Sequence, residues 1–215
     1  MLNRMLAVAA ACVLAGCATE DLSRADIANV ANVKSSFGPE FKVSTVGPTG
    51  VDPKVLAPQP MPPGVKFEPA DCAKFAQAQV LPEGLKGNMA ATTAEGQGNR
   101  YITMAVETSE PVPLNEPGEE CQKVGFASGA TRGMVEVVES PQIDGTRTLA
   151  THRVVQTTVD GKPHTGELYN YVASFGTFLV IVTANPLAVP GKPVAPVNTQ
   201  RARDLLTAAV AAVKG

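Results

Sequence analysis

Between Arg132 and Ala184 the chain is broken at short intervals by residues that force tight turns. Asp144-Gly145 lies within "PQIDGTR", Asp160-Gly161 follows at mid-segment, and Gly176-Thr177 comes last. An Asp-Gly pair supplies the positive φ that a two-residue hairpin loop demands. The segments between these turns are "RGMVEVVES", "TLATHRVVQTTV", "TGELYNYVASF" and "FLVIVTA". The first three are rich in β-branched or aromatic residues, and the fourth is a continuous apolar run suited to a buried strand. This spacing predicts four strands in an antiparallel meander.

Elsewhere the patterns change period. "FGPEFKVSTV" suggests a turn and a short strand, and "RYITMAVET" a further strand. "SRADIANVANVKSSF" reads as a helix with Ser23 as cap, Asp26 three residues later, and a stripe of Ile27, Val30, Ala31 and Val33. "PADCAKFAQAQV" reads as a second helix, opened by Pro69 and capped by Asp71. "EECQKVGF" is expected to be a short helix carrying Cys121. At the C-terminus, Ala202, Leu205, Leu206, Ala209, Val210 and Val213 follow the i, i+3, i+4, i+7 spacing of an amphipathic helix. Asn198 or Thr199 can cap it, and Lys214 suits its negative end. The expected fold class is α+β: a single antiparallel sheet of about five to six strands packed against helices, including the C-terminal one.

From Pro48 to Pro69 the chain holds seven prolines. Proline removes a backbone donor, so segment 47–69 is expected to be an extended crossing rather than a helix or a central strand. "NPLAVPGKPVAPVN" is a second Pro-rich loop. No internal repeat is visible.

The N-terminus reads "MLNRMLAVAAACVLAGC". Arg4 precedes an apolar run, Met5 to Ala15, which has the length of a secretory signal core and is too short to span a bilayer. Leu14-Ala15-Gly16-Cys17 resembles the lipobox of bacterial lipoproteins at every position. That resemblance implies cleavage before Cys17, a diacylglycerol on its sulfur, and a new amino group open to acylation. Two or three acyl chains anchor a protein durably where one does not. The expected division is a signal peptide at 1–16, a lipidated tether at 17–23, and one domain at 24–215. The expected location is the extracytoplasmic side of the cell membrane, with the membrane itself as the partner at Cys17. Loss of residues 1–16 removes only Arg4 from 18 basic residues and none of the 20 acidic ones. The remaining chain is near neutral, which argues against nucleic acid as a partner.

Cys12 would leave with the signal. That leaves Cys72 and Cys121, for which an export signal makes a disulfide the default reading. A metal site or a reactive thiol are the alternatives. His152 and His164 are the only histidines, and neither has a partner at metal-ligand spacing. His164 and Glu167 are three apart, but beside a turn. Ser128 in "GFASGATRG" departs from the nucleophile-elbow order. "GQGNR" at Gly96 lacks the strand-and-helix frame of a phosphate loop and reads as a β-turn. Glu119 and Glu120 sit at an expected helix start, where carboxylates are stabilised anyway. Tyr169 and Tyr171 should share one face of their strand. No catalytic residue, metal ligand or cofactor site is assigned, and the chain is expected not to be an enzyme.

Taken in order, "VKSSFGPEFKV", "EPADCAKF", "EECQKVGF", "GMVEVVESPQIDG", "YVASFGTFLVIV" and "LLTAAVAAVKG" are similar to a family of uncharacterised mycobacterial lipoproteins, a domain of unknown function. They cover roughly residues 24–215. The chain also resembles, more distantly, the extracellular sensor domains of mycobacterial receptor serine/threonine kinases. Those have a second disulfide, for which this chain lacks the cysteines. By analogy the resemblance implies an anchored cell-envelope module that binds, senses or interacts without catalysis. Its ligand would be a small molecule, a lipid or an envelope protein. A lipid or glycolipid carrier with an apolar cavity is the alternative, and an envelope hydrolase the third reading.

Overall fold

The computed structural model describes residues 22–51, 63–77, 84–159, 161–188 and 193–215. One antiparallel sheet dominates them, in the order β1-β3-β4-β9-β8-β7-β6-β5-β2. In chain order the strands are β1 (Lys42–Gly50), β2 (Lys66–Glu68), β3 (Gly87–Gly96), β4 (Asn99–Thr108), β5 (Lys123–Ser128), β6 (Thr131–Val138), β7 (Arg147–Val159), β8 (Lys162–Phe175) and β9 (Phe178–Pro186). The helices are α1 (Ala73–Ala76) and α2 (Thr199–Lys214), with 3₁₀ segments at Ile27–Ser36, Ala70–Cys72 and Glu119–Cys121.

Nine strands correct the expected five to six, and the fold is mainly β with few helices rather than α+β. Three strands account for the difference. β3, "GNMAATTAEG", is built from small and polar residues with weak intrinsic strand preference. It forms because all ten of its residues pair in register with β4 across the Gln97-Gly98 turn. Gln97 (φ 51°) and Gly98 (φ 76°) both take the left-handed conformation that such a turn requires. "KVGFAS", expected to continue a helix, is β5. Only Glu119–Cys121 is helical there, and Val124 already lies in the strand. β2 adds three residues inside the Pro-rich segment by pairing with β5. β1 reaches Gly50 despite Pro48, which an edge strand tolerates. Residues 52–62 of the expected crossing segment lie outside the described residues.

On one face of the sheet the first 3₁₀ segment and α2 pack together, joined by the Asp26 amide donating to the Val213 carbonyl at 2.9 Å. Asp26, not Ser23, caps the segment, its carboxylate accepting from the Ala28 amide at 2.8 Å. Its buried residues, Ile27, Val30 and Val33, recur every three positions, as three residues per turn demand. In α2 all six apolar residues of the expected stripe are buried, and Asn198 caps the start by accepting from the Arg201 amide at 3.0 Å. These two elements close the main core over Tyr101, Ala105, Tyr171, Ala173, Val180 and Val182.

The opposite face carries two smaller cores. One gathers Cys72, Phe75, Cys121, Val124, Phe126 and Val135. Arg153 closes it: its guanidinium donates to the Ala76 carbonyl at 2.6 Å and lies 5.8 Å from the Phe126 ring centre. Burial pushes that guanidinium below its ordinary pKa. β6 can approach Phe126 only because residue 133 is glycine. A Cβ there would fall 2.3 Å from the Phe126 ring and 2.4 Å from the Val154 carbonyl oxygen. The other core packs Val112 and Leu114 of the β4–β5 connection on Val106 and Leu179.

Three outcomes test this account. Leu206 is fully buried, so Leu206→Ala should lose about 2–5 kcal/mol in urea unfolding, against about 0.5 kcal/mol or less for exposed Thr207→Ala. The Cys72–Cys121 bond closes a separation of 49 residues, and the double alanine variant should lose about 4 kcal/mol on loop-closure entropy. All three tyrosines, Tyr101, Tyr169 and Tyr171, have pKa values raised chiefly by burial. Their contribution to stability is full below the ordinary tyrosine value of about 10 and is lost as pH rises through the raised values. Near-ultraviolet tyrosinate absorbance should therefore appear later in the folded protein than in urea, and together with unfolding.

Candidate functional site

The Val159–Lys162 pair flanks the β7–β8 turn, so every β7 residue meets a β8 partner whose number follows by counting. His152 therefore stands opposite Tyr169, and on its other side it stands opposite Glu136 of β6. Side chains of directly opposed residues point to the same face. Lys123 of β5 extends this row in one direction, and Ala184 of β9 and Tyr101 of β4 extend it in the other. Half of the row is covered. Tyr101 is buried with Phe37 and Phe41, and Arg201 of α2 lies 4.9 Å from the Phe41 ring centre. Tyr169 packs at the edge of that covered core, and Lys123, Glu136 and His152 continue the row beyond it.

His152 is held there from three sides. Nδ1 lies 3.2 Å from Glu136 Oε1, and Nε2 lies 3.2 Å from Glu167 Oε2. Its ring stacks on Tyr169 at 4.1 Å between centres and 6° between planes. Lys123 Nζ stands 3.5 Å from the second oxygen of Glu136. The imidazole is 13% exposed, while Glu136 and Glu167 keep 28% and 29%, so solvent reaches the carboxylates more than the ring between them. A neutral imidazole carries one N–H and donates to one carboxylate; the imidazolium donates to both. The Tyr169 phenol is held above its ordinary pKa by burial first and then by the Glu167 and Glu136 carboxylates. The result is a polar and aromatic platform that locks β6, β7 and β8 together.

Other groups singled out in the sequence are dispersed. His164 lies on the exposed part of β8 opposite Thr157. Ser128 donates its hydroxyl to the Pro63 carbonyl at 2.7 Å. Glu119 and Glu120 begin a 3₁₀ turn, and Gly96 precedes the β3–β4 turn. Tyr169 and Tyr171 share the face under discussion, Tyr171 fully buried and Tyr169 at the open edge of the main core. Cys72 and Cys121 are bonded, with an S–S distance of 2.01 Å and Cα atoms 5.4 Å apart. The bond joins two 3₁₀ turns rather than two helices. Among the described residues, no group of three or more His, Cys, Asp or Glu side chains is arranged to hold a metal ion. No described helix is long and apolar enough to cross a membrane. Cys17, the expected lipidation residue, lies outside the described residues.

Two of the surface clefts among the described residues lie at opposite ends of the sheet. One, of about 410 Å³, is bordered by Ser36, Asn198, Gln200, Arg201 and Asp204 at the start of α2. The other, of about 630 Å³, is bordered by Pro111, Pro113, Thr146, Arg147, Phe175 and Gly176 at the opposite end of the sheet.

The His152 platform escaped the reading by linear spacing because its members are 15 and 16 residues apart. One half of the signal was present. The Asp160-Gly161 turn places residue 152 against 169 by counting alone. Glu136 needed the register across the longer β6–β7 connection, which no two-residue turn sets.

Comparison with functionally curated proteins found no match. Among solved structures, an uncharacterised protein of Mycobacterium smegmatis described as an Rv0999 ortholog is 68% identical and has a TM-score of 0.85, covering 89% of this chain and 98% of its own. The extracellular domain of PknH from Mycobacterium tuberculosis is 14% identical with a TM-score of 0.33, over 90% of this chain and 97% of its own. Residues 26–214, all but the two ends, match one family profile, and the chain belongs to that family, the Domain of unknown function (DUF5642).

Proposed function

We propose that this protein is a lipid-anchored, extracytoplasmic interaction module without catalytic activity, which meets an envelope protein through the open face of β6, β7 and β8. The observation that carries the reading is the His152 platform. It concentrates two carboxylates, a lysine, an imidazole and a phenol on the sheet face at the edge of the core that α2 covers. Such mixed polar and aromatic surfaces suit recognition of a partner rich in hydrogen-bond donors.

Chemistry supports the non-catalytic side of the reading. Both nitrogens of His152 face carboxylates, and Ser128 is engaged with Pro63. No hydroxyl nucleophile stands paired with an imidazole base among these contacts. The lipid-carrier alternative draws less support. Leu205, Leu206, Ala209, Val210 and Val213, at 0–1% exposure, fill the layer between α2 and the sheet. The two clefts described above are open at the surface instead of lying beneath it. The anchor rests on the lipobox residues Leu14 to Cys17.

Two measurements test this reading. Cys17→Ser should move the protein from the membrane fraction to the soluble one; retention of a detergent-extractable membrane form would remove the lipid anchor. A photo-crosslinking residue placed in living cells at Gln156 or Thr165, beside the platform, should give a discrete protein adduct. The same residue at Thr207, on the exposed side of α2, should not. Adducts of equal yield at all three sites, or a lipid adduct alone, would overturn the interaction reading.

A further inference from the structure

We propose that the end of the sheet bearing the β8–β9 turn is the membrane-contact face, with its cleft opening against the lipid surface and the β7–β8 hairpin projecting away from it. The inference rests on the lipid-anchor reading of Cys17 and adds an orientation to it.

The argument starts from where the described chain begins. Leu22 lies against the β8–β9 turn: a Cβ built on Gly176 would fall 2.5 Å from Leu22 Cδ1. The neighbouring residues are tied to the same end. The Asp26 amide donates to the Val213 carbonyl, and Gly215 packs on Arg24. The entry point of the domain is therefore fixed to this end, not swinging free of it. Only residues 18–21 separate Leu22 from Cys17. Five Cα–Cα steps span at most about 18 Å even when fully extended. An acylated Cys17 thus holds the β8–β9 turn within that distance of the bilayer interface.

The long axis of the sheet runs the other way. β8 has 14 residues from Lys162 to Phe175, which is about 46 Å at the rise of an antiparallel strand. The tip at Gly161 lies beyond the reach of the short lead, and the His152 platform stands partway up the hairpin. The 630 Å³ cleft lies at the anchored end, and Gly176, which Leu22 touches, is part of its wall. Pro111 and Pro113 give the cleft exposed apolar surface, and at its border Arg147, 64% exposed, pairs with the Glu116 carboxylate at 2.8 Å while turning the rest of its guanidinium to solvent. Apolar rings beside an arginine suit the boundary between acyl chains and phosphate headgroups. The occupant assigned to this surface is the lipid of the anchoring membrane.

The chain contains no tryptophan, so a single introduced tryptophan reports its own surroundings. The full lipidated protein would be reconstituted in vesicles of phosphatidylethanolamine and phosphatidylglycerol carrying a headgroup-nitroxide lipid. Pro111→Trp at the cleft should lose most of its emission, and Lys162→Trp at the hairpin tip little. Thr146→Trp, on another wall of the cleft, gives the same readout if Pro111→Trp perturbs its loop. Equal quenching at cleft and tip, or stronger quenching at the tip, would overturn the orientation while leaving the anchor intact. Absence of a diacylglycerol mass on the Cys17 peptide, with no co-sedimentation on vesicles, would instead remove the anchor and the orientation together.

Discussion

The pairing of β4 with β9 is the interaction on which the rest of the molecule depends. Nine consecutive residue pairs, from Asn99–Pro186 to Glu107–Phe178, join the β3–β4 hairpin to the five-stranded meander β5–β9. Without it the chain holds two sheets, each with an exposed inner edge. With it, β9 lies inside one sheet and is buried on both faces: Val180, Val182 and Ala184 under α2, Leu179 under the β4–β5 connection. Such a strand must be apolar at nearly every position, and "FLVIVTA" is. β9 ends where Pro186 can no longer donate to a ladder, and the following Leu187 amide turns to the Gly98 carbonyl at 2.8 Å.

That junction also determines where the covering elements sit. α2 lies over β4, β9 and β8, because there the small residues Ala105, Ala173 and Ala184 leave room for Leu205, Leu206 and Val210. A buried polar node secures its start. Asn99 Oδ1 accepts from the Asn198 amide at 2.9 Å and from the Tyr101 hydroxyl at 2.9 Å, while its amide donates to the Pro196 carbonyl at 3.2 Å. Each partner is satisfied, so the polar group is retained inside at little cost. Placed there, the helix covers a core that extends to Ala150 of β7 and Val138 at the end of β6. The rest of this face on β5, β6 and β7 carries Lys123, Glu136 and His152 together with Met134 and Val154. The disulfide and Arg153 hold these same strands from behind. The platform is thus backed by a bonded layer while its carboxylates stay partly exposed, the arrangement expected of a recognition surface.

Legibility from sequence followed the range of the interactions. The C-terminal helix, strands β6 to β9 and the turns at Asp144-Gly145, Asp160-Gly161 and Gly176-Thr177 were readable, since each is encoded within a few neighbouring residues. β3 was not: Asn88, Ala90, Ala91 and Ala94 carry no strand preference and are extended because β1 and β4 enclose them. β5 was misread because Glu119, Glu120 and Cys121 do start a helical turn, which Lys123 leaves for the sheet. At the candidate site, His152 and Tyr169 were within reach of hairpin counting. Their carboxylate partners come from positions that no linear motif connects.

The sequence by itself determined a resemblance to a lipobox at Leu14 to Cys17, the hairpin register of β7 on β8, and the buried face of α2. Local backbone geometry and helical periodicity decide the last two. Only the tertiary structure decided that β4 lies against β9, that β1 and β2 become opposite edges, and that Glu136 and Glu167 converge on one imidazole. These contacts close long loops, and what selects them is the complementarity of whole faces, which no short stretch of sequence contains.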